Sequence, residues 1–364
     1  MEQVRIAKQS DQKAYRDLWQ ICFGDSDAFC QWFFIHRFCP SYSVCLELDG
    51  ILPSAMQAFP YDILIRGKRI EGAMLCGVCT HPQYRKRGYM GRMFSYNMKV
   101  LRQHQKAVAV HTPAVLESYF SFGHETVADA CYLTAEKLPV TQKKELIFLE
   151  GEERKNAFAC YDKFARKYSG IVLRGVDDFI RKMDDYSADG GRIVVDRKDS
   201  PSAYACFYLT QDELTCVEAA GETEALQTLL EDLLTLGGGR KCSVKLPPDT
   251  DVTLSCCEKK ILPKGVMGLA NISLLLERLG LESESSFCLR DTVIEENNGC
   301  FDLSGKNSQK PPSFVISAGK LLPVLVGYRS LEEQRPWIEV KDEKGFREIA
   351  EALPKVPCYI IDEY

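Results

Sequence analysis

The stretch Gly77-Val-Cys-Thr-His-Pro-Gln-Tyr-Arg-Lys-Arg-Gly-Tyr-Met-Gly91 sets three positive charges and a glycine between an apolar run and an amphipathic one. Its residues predict a strand, a His–Pro stop, a basic loop and a helix start. The first turn of a helix carries backbone N–H groups without intrahelical partners and the positive end of the helix dipole, so a loop entering it is a ready anion site. Arg85, Lys86 and Arg87 add charge, and Gly88 lets the backbone approach a phosphate closely. A solvated basic loop would have the same composition. The strand before it and the helix after it favour a pyrophosphate site. Cys76-Gly-Val-Cys79 has the spacing of a redox dithiol, but that chemistry needs the first thiol at a helix N-terminus. In a strand, a three-residue offset turns the two side chains to opposite faces. Neither Cys256 and Cys257 nor the five histidines have the spacing of a closed zinc site, so no metal is expected. His36, His81, His104, His111 and His124 form no hydrolase set, and a neutral structural role is the default for the last two.

These residues need a scaffold, and the composition bounds it. The chain has 364 residues, 45 % apolar and 27 % charged, which excludes wholesale disorder. At roughly 100–200 residues per domain it should hold two or three domains. With 46 Lys and Arg against 51 Asp and Glu the net charge is −5, which argues against a generic nucleic-acid or anionic-membrane binder. No run of about 18 apolar residues predicts a membrane span. The first fifteen residues turn polar before a signal-peptide core could form. The expectation is a cytoplasmic chain whose sixteen scattered cysteines stay reduced.

Residues 1–135 read as one mixed α/β unit. Ser10 and Asp11 cap a helix with Ala14, Leu18, Ile21 and Cys22 on one face, and Gly24 stops it. A second helix is predicted over 28–38, then strands at 44–48, 51–59, 62–65 and 70–79, with turns at Asp49–Gly50 and around Gly67. Met90, Met93, Phe94, Asn97 and Leu101 outline a helix face, and 107–110 is a short buried strand. After a Lys- and Glu-rich linker at 137–155, a second unit follows over 156–262. A joint is predicted at 262–269, where Pro263, Gly265 and Gly268 cluster. Residues 270–364 form a third unit.

Residues 80–90 resemble the acetyl-CoA signature of the GNAT acetyltransferases, Gln/Arg-x-x-Gly-x-Gly/Ala. Arg85 and Gly88 match it, while Met90 stands where Gly or Ala is usual. The pair Tyr89–Met90 fits the Eis-like (enhanced intracellular survival) branch, in which two apolar residues follow the glycine. Ser118-Tyr-Phe-Ser-Phe-Gly-His-Glu125 is similar to that branch's Tyr-x-x-Phe-Gly-Tyr-Glu segment, with His124 in place of the second Tyr, and Pro113 also fits. The resemblance implies an α/β (α+β) fold of tandem GNAT-like mixed sheets with a C-terminal domain similar to sterol carrier proteins. The implied domains are 1–140, 141–265 and 266–364. The second lacks an Arg-x-x-Gly loop between strand and helix and should not bind CoA.

What the resemblance implies for function is acetyl-CoA-dependent transfer of acetyl to a primary amine of a cationic small molecule or lysine side chain. Backbone groups of Val78, Cys79 and Thr80 would pair with the pantetheine arm as with an added strand. The loop of Arg85, Lys86, Arg87, Gly88, Tyr89, Met90 and Gly91 would hold the pyrophosphate, with Ala114 and Val115 nearby. Tyr119 matches the family's general acid. The α-carboxylate of Tyr364 matches its general base, with a reference pKa of about 3.5. Glu363 and Asp25 would line a pocket for a cation. The resemblance also implies a homo-oligomer. A non-catalytic acyl-CoA-binding or regulatory protein is the alternative of another class. A tRNA or peptidoglycan acyltransferase is a further one, and the acidic balance disfavours its tRNA form.

Overall fold

A computed structural model describes residues 2–363. Its first unit begins with β1 (Glu2–Ile6), α1 (Gln12–Phe23), α2 (Asp27–Arg37), β2 (Val44–Leu48), β3 (Ile51–Ile65), β4 (Lys68–Thr80), α3 (Tyr89–Gln103), β5 (Val108–His111) and β6 (His124–Ala135). The elements predicted for 51–59 and 62–65 are one strand, because Pro60 sits within a continuous antiparallel ladder with β4. The side chains of α1 and α2 pack on one face of this sheet, with Leu18, Trp19, Phe33 and Phe34 against Phe59, Ile63 and Met74. Those of α3 cover the other, with Met93, Phe94 and Leu101 against Leu46, Met56 and Leu75. Both faces are therefore dry, which explains why β4 is apolar along most of its length.

The second unit runs through β7 (Ile147–Phe148), α4 (Phe158–Ala165), β8 (Ile171–Leu173), α5 (Val176–Ala188), β9 (Arg192–Val195), β10 (Ala203–Leu209), β11 (Glu213–Gly221), α6 (Thr223–Leu234) and β12 (Lys241–Leu246). The strand β13 (Glu258–Leu269) then lies between β5 and β6, antiparallel to both. The predicted joint at 262–269 is thus the inner part of a strand. Its glycines mark close packing rather than a turn: a Cβ on Gly268 would fall 2.4 Å from the His124 ring. Since β12 also pairs with β6, the sheets of the two units are continuous, in the order β1-β2-β3-β4-β5-β13-β6-β12-β11-β10-β9-β7. β11 runs into α6 through Glu222 alone, so no basic loop separates strand and helix there.

The third unit holds α7 (Ile272–Leu279), β14 (Ser286–Arg290), β15 (Gly299–Asp302), β16 (Phe314–Ser317), α8 (Ala318–Val326), β17 (Glu339–Val340) and α9 (Glu343–Ala352). Its strands form a separate four-stranded sheet. The expectation that all cysteines are reduced is corrected here: β14 and β15 place Cys288 directly opposite Cys300, and the two are disulfide-bonded. The other fourteen are free thiols. Among the described residues no helix is long and apolar enough to cross a membrane.

The chain then returns to the second unit, and residues 358–362 are buried. Tyr359 Nα donates to the Ser169 carbonyl at 3.1 Å, so the tail adds to the core beside α4. The last described residues therefore run between the first two units.

Candidate active site

A first cleft begins with a break in β4. Cys79 pairs with Ala55 and Cys76 with Gln57, so Met56 alone faces Gly77 and Val78, a β-bulge. Gly77 has φ +57, and a Cβ there would lie 2.2 Å from the Trp19 ring, so only glycine fits. β5 pairs with β4 over Gly72, Ala73 and Met74 alone. Beyond Met74 the two strands diverge, and the β5-facing edge of β4 pairs with no described strand. Val78, Cys79 and Thr80 lie on that edge. With Arg85, Lys86, Arg87, Gly88, Tyr89, Met90 and Gly91 they line a cleft of about 470 Å³, joined by Cys22, Phe23, Tyr84 and Phe122. Ala114 and Val115 are exposed and lie outside this lining.

Gly88 at φ +75 turns the loop into α3, whose first-turn N–H groups have no intrahelical partners. Arg85, Lys86 and Arg87 are exposed around it, and Arg87 stacks over Tyr84 at 5.0 Å. Glu2 holds the helix start through Tyr89 Oη at 3.1 Å and an ion pair with Arg92. A diphosphate with an amide-bearing arm fits this lining: the helix end and cations suit the anion, and the open β4 edge suits the amides.

Tyr119 is half-buried on a 3₁₀ turn, edge-on to His111 at 4.5 Å and to Phe94 at 5.2 Å. Burial raises its phenol, so it is protonated at neutral pH and able to donate. His111 Nε2 and His124 Nδ1 lie 3.1 Å apart in a hydrogen bond, both rings fully enclosed. Burial holds both neutral, His124 down at about 3. The unfolded imidazoles bind protons below about 6.5 while the folded ones do not. Their stabilisation is therefore complete above that pH and is lost as pH falls. Between pH 7.5 and 5.5, His124→Gln should lose about 1 kcal/mol less folding stability than the parent, read from urea midpoints.

A second cleft of about 270 Å³ is lined by Trp19, Asp25, Phe29, Phe33, Lys182, Asp185, Tyr186, Asp189, Tyr208, Val217 and Glu363. Trp19 of this lining packs on Gly77, and its ring lies 4.8 Å from that of Phe23, which lines the first cleft. Four carboxylates and one ammonium face this space. Arg37 lies 3.4 Å from Asp185, and Lys245 and Lys264 lie 2.9 and 3.4 Å from Glu363, so Glu363 already has cations of its own. Asp25 instead accepts from Trp19 Nε1 at 2.6 Å, and Asp189 faces Tyr208 across the cleft. Burial and the nearby Asp25 charge raise the Asp189 carboxyl. The acidic pair Asp25 and Asp189 is the part of the pocket most in need of a cation.

The tail reaches this cleft through buried polar anchors. Lys245 Nζ donates to the Ile361 carbonyl at 2.9 Å, Thr112 Oγ1 to that of Asp362 at 3.1 Å and Lys182 Nζ to that of Glu363 at 2.7 Å. Burial lowers Lys182 to about 8. The Asp362 carboxylate meets Arg174, which also grips both oxygens of Glu218 at 2.8 Å. Tyr364 lies outside the described residues. Among them, no group of three or more His, Cys, Asp and Glu could hold a metal ion.

Sequence comparison adds a family to this geometry. Residues 3–127 match the family described as "Acetyltransferase (GNAT) domain". The match covers the N-terminal unit, less than half of the chain. No curated protein matches the chain in sequence. Solved structures share its whole fold. A GCN5-related N-acetyltransferase from Anabaena variabilis is 14 % identical with TM-score 0.81, each chain covered completely. A probable N-acyltransferase from Enterococcus faecalis has 17 % and 0.80, and Eis1 from Mycobacterium abscessus 14 % and 0.76, again over both full chains. The N-terminal unit thus contributes the first cleft and Asp25. Lys182, Asp189 and Tyr208 come from the second unit and Glu363 from the tail. Sequence reasoning missed Trp19 and Asp189, and also Lys182, Asp185 and Arg174, whose partners Glu363, Arg37 and Asp362 lie far along the chain.

Proposed function

We propose that the chain is an acetyl-CoA-dependent N-acetyltransferase that moves acetyl directly to a primary amine on a cationic small molecule or a lysine side chain. The observation that carries this reading is the pair of clefts bridged by the Trp19–Phe23 ring contact, one suited to a diphosphate and an amide arm, the other acidic and aromatic. The thioester supplies an activated acyl group. The protein orients it against the amine, worth up to several kcal/mol of barrier. Asp25 and Asp189 draw the cationic acceptor in, and Phe29, Phe33 and Tyr208 exclude water around it. Tyr119 holds the proton that a departing thiolate takes up. For Tyr364 the proposed role, which rests on the family resemblance, is proton acceptor through its α-carboxylate; Lys245, Thr112 and Lys182 hold the carbonyls of residues 361–363 before it.

Acetyl-CoA at about 100 times its Kd should add roughly 2.7 kcal/mol to folding stability, read as a saturable rise in Tm. The same shift is expected with CoA, and none with a nucleotide lacking the diphosphate arm. Arg85→Ala with Arg87→Ala should abolish the shift at that concentration while leaving the ligand-free Tm unchanged. An unchanged shift in the double variant would remove the loop from the reading. Thiol release with diamine and lysine-peptide acceptors then tests transfer, and binding without release would make the chain an acyl-CoA-binding protein.

A further inference from the structure

Most of the free thiols are buried, and two of the fourteen line the donor cleft together. Cys22, in the last turn of α1, is half-exposed, and its Sγ donates to the Thr80 carbonyl at 3.5 Å. Arg85 Nε donates to the same oxygen at 3.1 Å, so thiol and guanidinium converge at the end of β4. Cys79, the residue before Thr80, lines the same cleft as Cys22, whose Sγ reaches the adjoining Thr80 carbonyl. The neighbouring Cys79, and then the Arg85 charge, bring the Cys22 thiol down to about 7. Cys22, reinforced by burial, pushes Cys79 far up. One accessible, readily ionised sulfur beside one enclosed, protonated sulfur is the division of labour that thiol–disulfide exchange uses. Cys76, three residues from Cys79 on the same strand, is fully buried and absent from the cleft lining.

We propose that Cys22 and Cys79 form a reversible dithiol–disulfide site inside the donor cleft, oxidised by a low-molecular-weight disulfide of the CoA class. The choice of CoA disulfide rests on reading the cleft as a CoA site. The Cys22 thiolate attacks one sulfur of the CoA disulfide, forming a mixed disulfide and releasing one CoA thiolate. Cys79 gives up its proton and attacks the Cys22 sulfur, closing the protein disulfide and releasing the second CoA thiolate. Two protein thiols lose two electrons and two protons, and the CoA disulfide leaves as two CoA thiols. The product ties the end of α1 to β4 across the space where the acyl donor would lie.

The test is intact-mass analysis after exposure to CoA disulfide, on the reduced full chain carrying Cys288→Ser and Cys300→Ser so that the disulfide of the third unit cannot re-form. This parent should lose two hydrogen atoms and carry no CoA, with dithiothreitol restoring it. Cys79→Ser, and equally Cys79→Ala in case a buried hydroxyl perturbs folding, should stop with one CoA on residue 22. Cys22→Ser should give neither product. In the reduced parent at pH 7, Cys22 should alkylate about tenfold faster than exposed Cys256, and acetyl-CoA should slow it. A parent that stops at the mixed disulfide, or a Cys22 no faster than Cys256, would overturn the proposal. Glutathione disulfide separates the two readings. If it oxidises the pair as fast as CoA disulfide and acetyl-CoA gives no thermal shift, the CoA site fails and the dithiol stands. A normal acetyl-CoA shift with inert thiols means the reverse.

Discussion

Arg174→Met should cost about 3–5 kcal/mol of folding stability, the scale of a buried ion cluster losing one partner. The guanidinium, Glu218 and Asp362 are all essentially excluded from water. Removing it leaves two carboxylates facing each other inside the protein, with Tyr186 and Tyr204 on Glu218 as neutral donors at 3.0 and 2.7 Å. Neutralising both acids in the triple variant Arg174→Met, Glu218→Gln, Asp362→Asn should recover a large part of that loss, because the stranded charges cause it. Urea midpoints decide this, and equal stability of single and triple variants would locate the cost in packing. The triple variant should still transfer acetyl poorly, since Asp362 no longer fixes the tail that carries Glu363 to the acceptor cleft. A folded triple variant with full turnover would detach the tail from the chemistry.

Tyr119→Phe should lower kcat by about 10²–10⁴, the range for loss of a positioned general acid. The ring still packs on His111 and Phe94, so acetyl-CoA should give the same thermal shift as in the parent. Burial raises the phenol, so the parent should lose turnover only on the far alkaline side of pH 10, where the hydroxyl ionises and can no longer donate. The Phe variant should lack that alkaline limb. Parent-like turnover in Tyr119→Phe would remove the hydroxyl from the reaction and leave the ring as packing.

The donor loop was legible because its function is local. Strand, basic turn, Gly88 and helix start are consecutive, and a helix N-terminus binds anions wherever it is placed. The motif around Tyr119 was contiguous too. The helices α1, α2 and α3 followed from capping and periodicity, as did most strands of the first unit. Residues 262–269 misled because glycine marks both turns and close packing, and only the His124 ring beneath Gly268 distinguishes them. The helix α5 escaped prediction, and with it Lys182, Asp185 and Asp189. Glu363 was placed as a cation-binding acid, but Lys245 and Lys264 already face its carboxylate.

By itself, the sequence determined a mixed α/β chain with an anion-ready loop and a phenol in a recognisable motif, because each depends on neighbours within a turn or two. Tertiary structure alone decided that β13 joins two sheets and that Asp25 of the first unit meets Asp189 of the second. It also decided that Cys22 joins Cys79 in one cleft and that Arg174 clasps a tail 188 residues further on. Those contacts depend on which surfaces the sheet brings together, and no short-range pattern of charge or polarity encodes that.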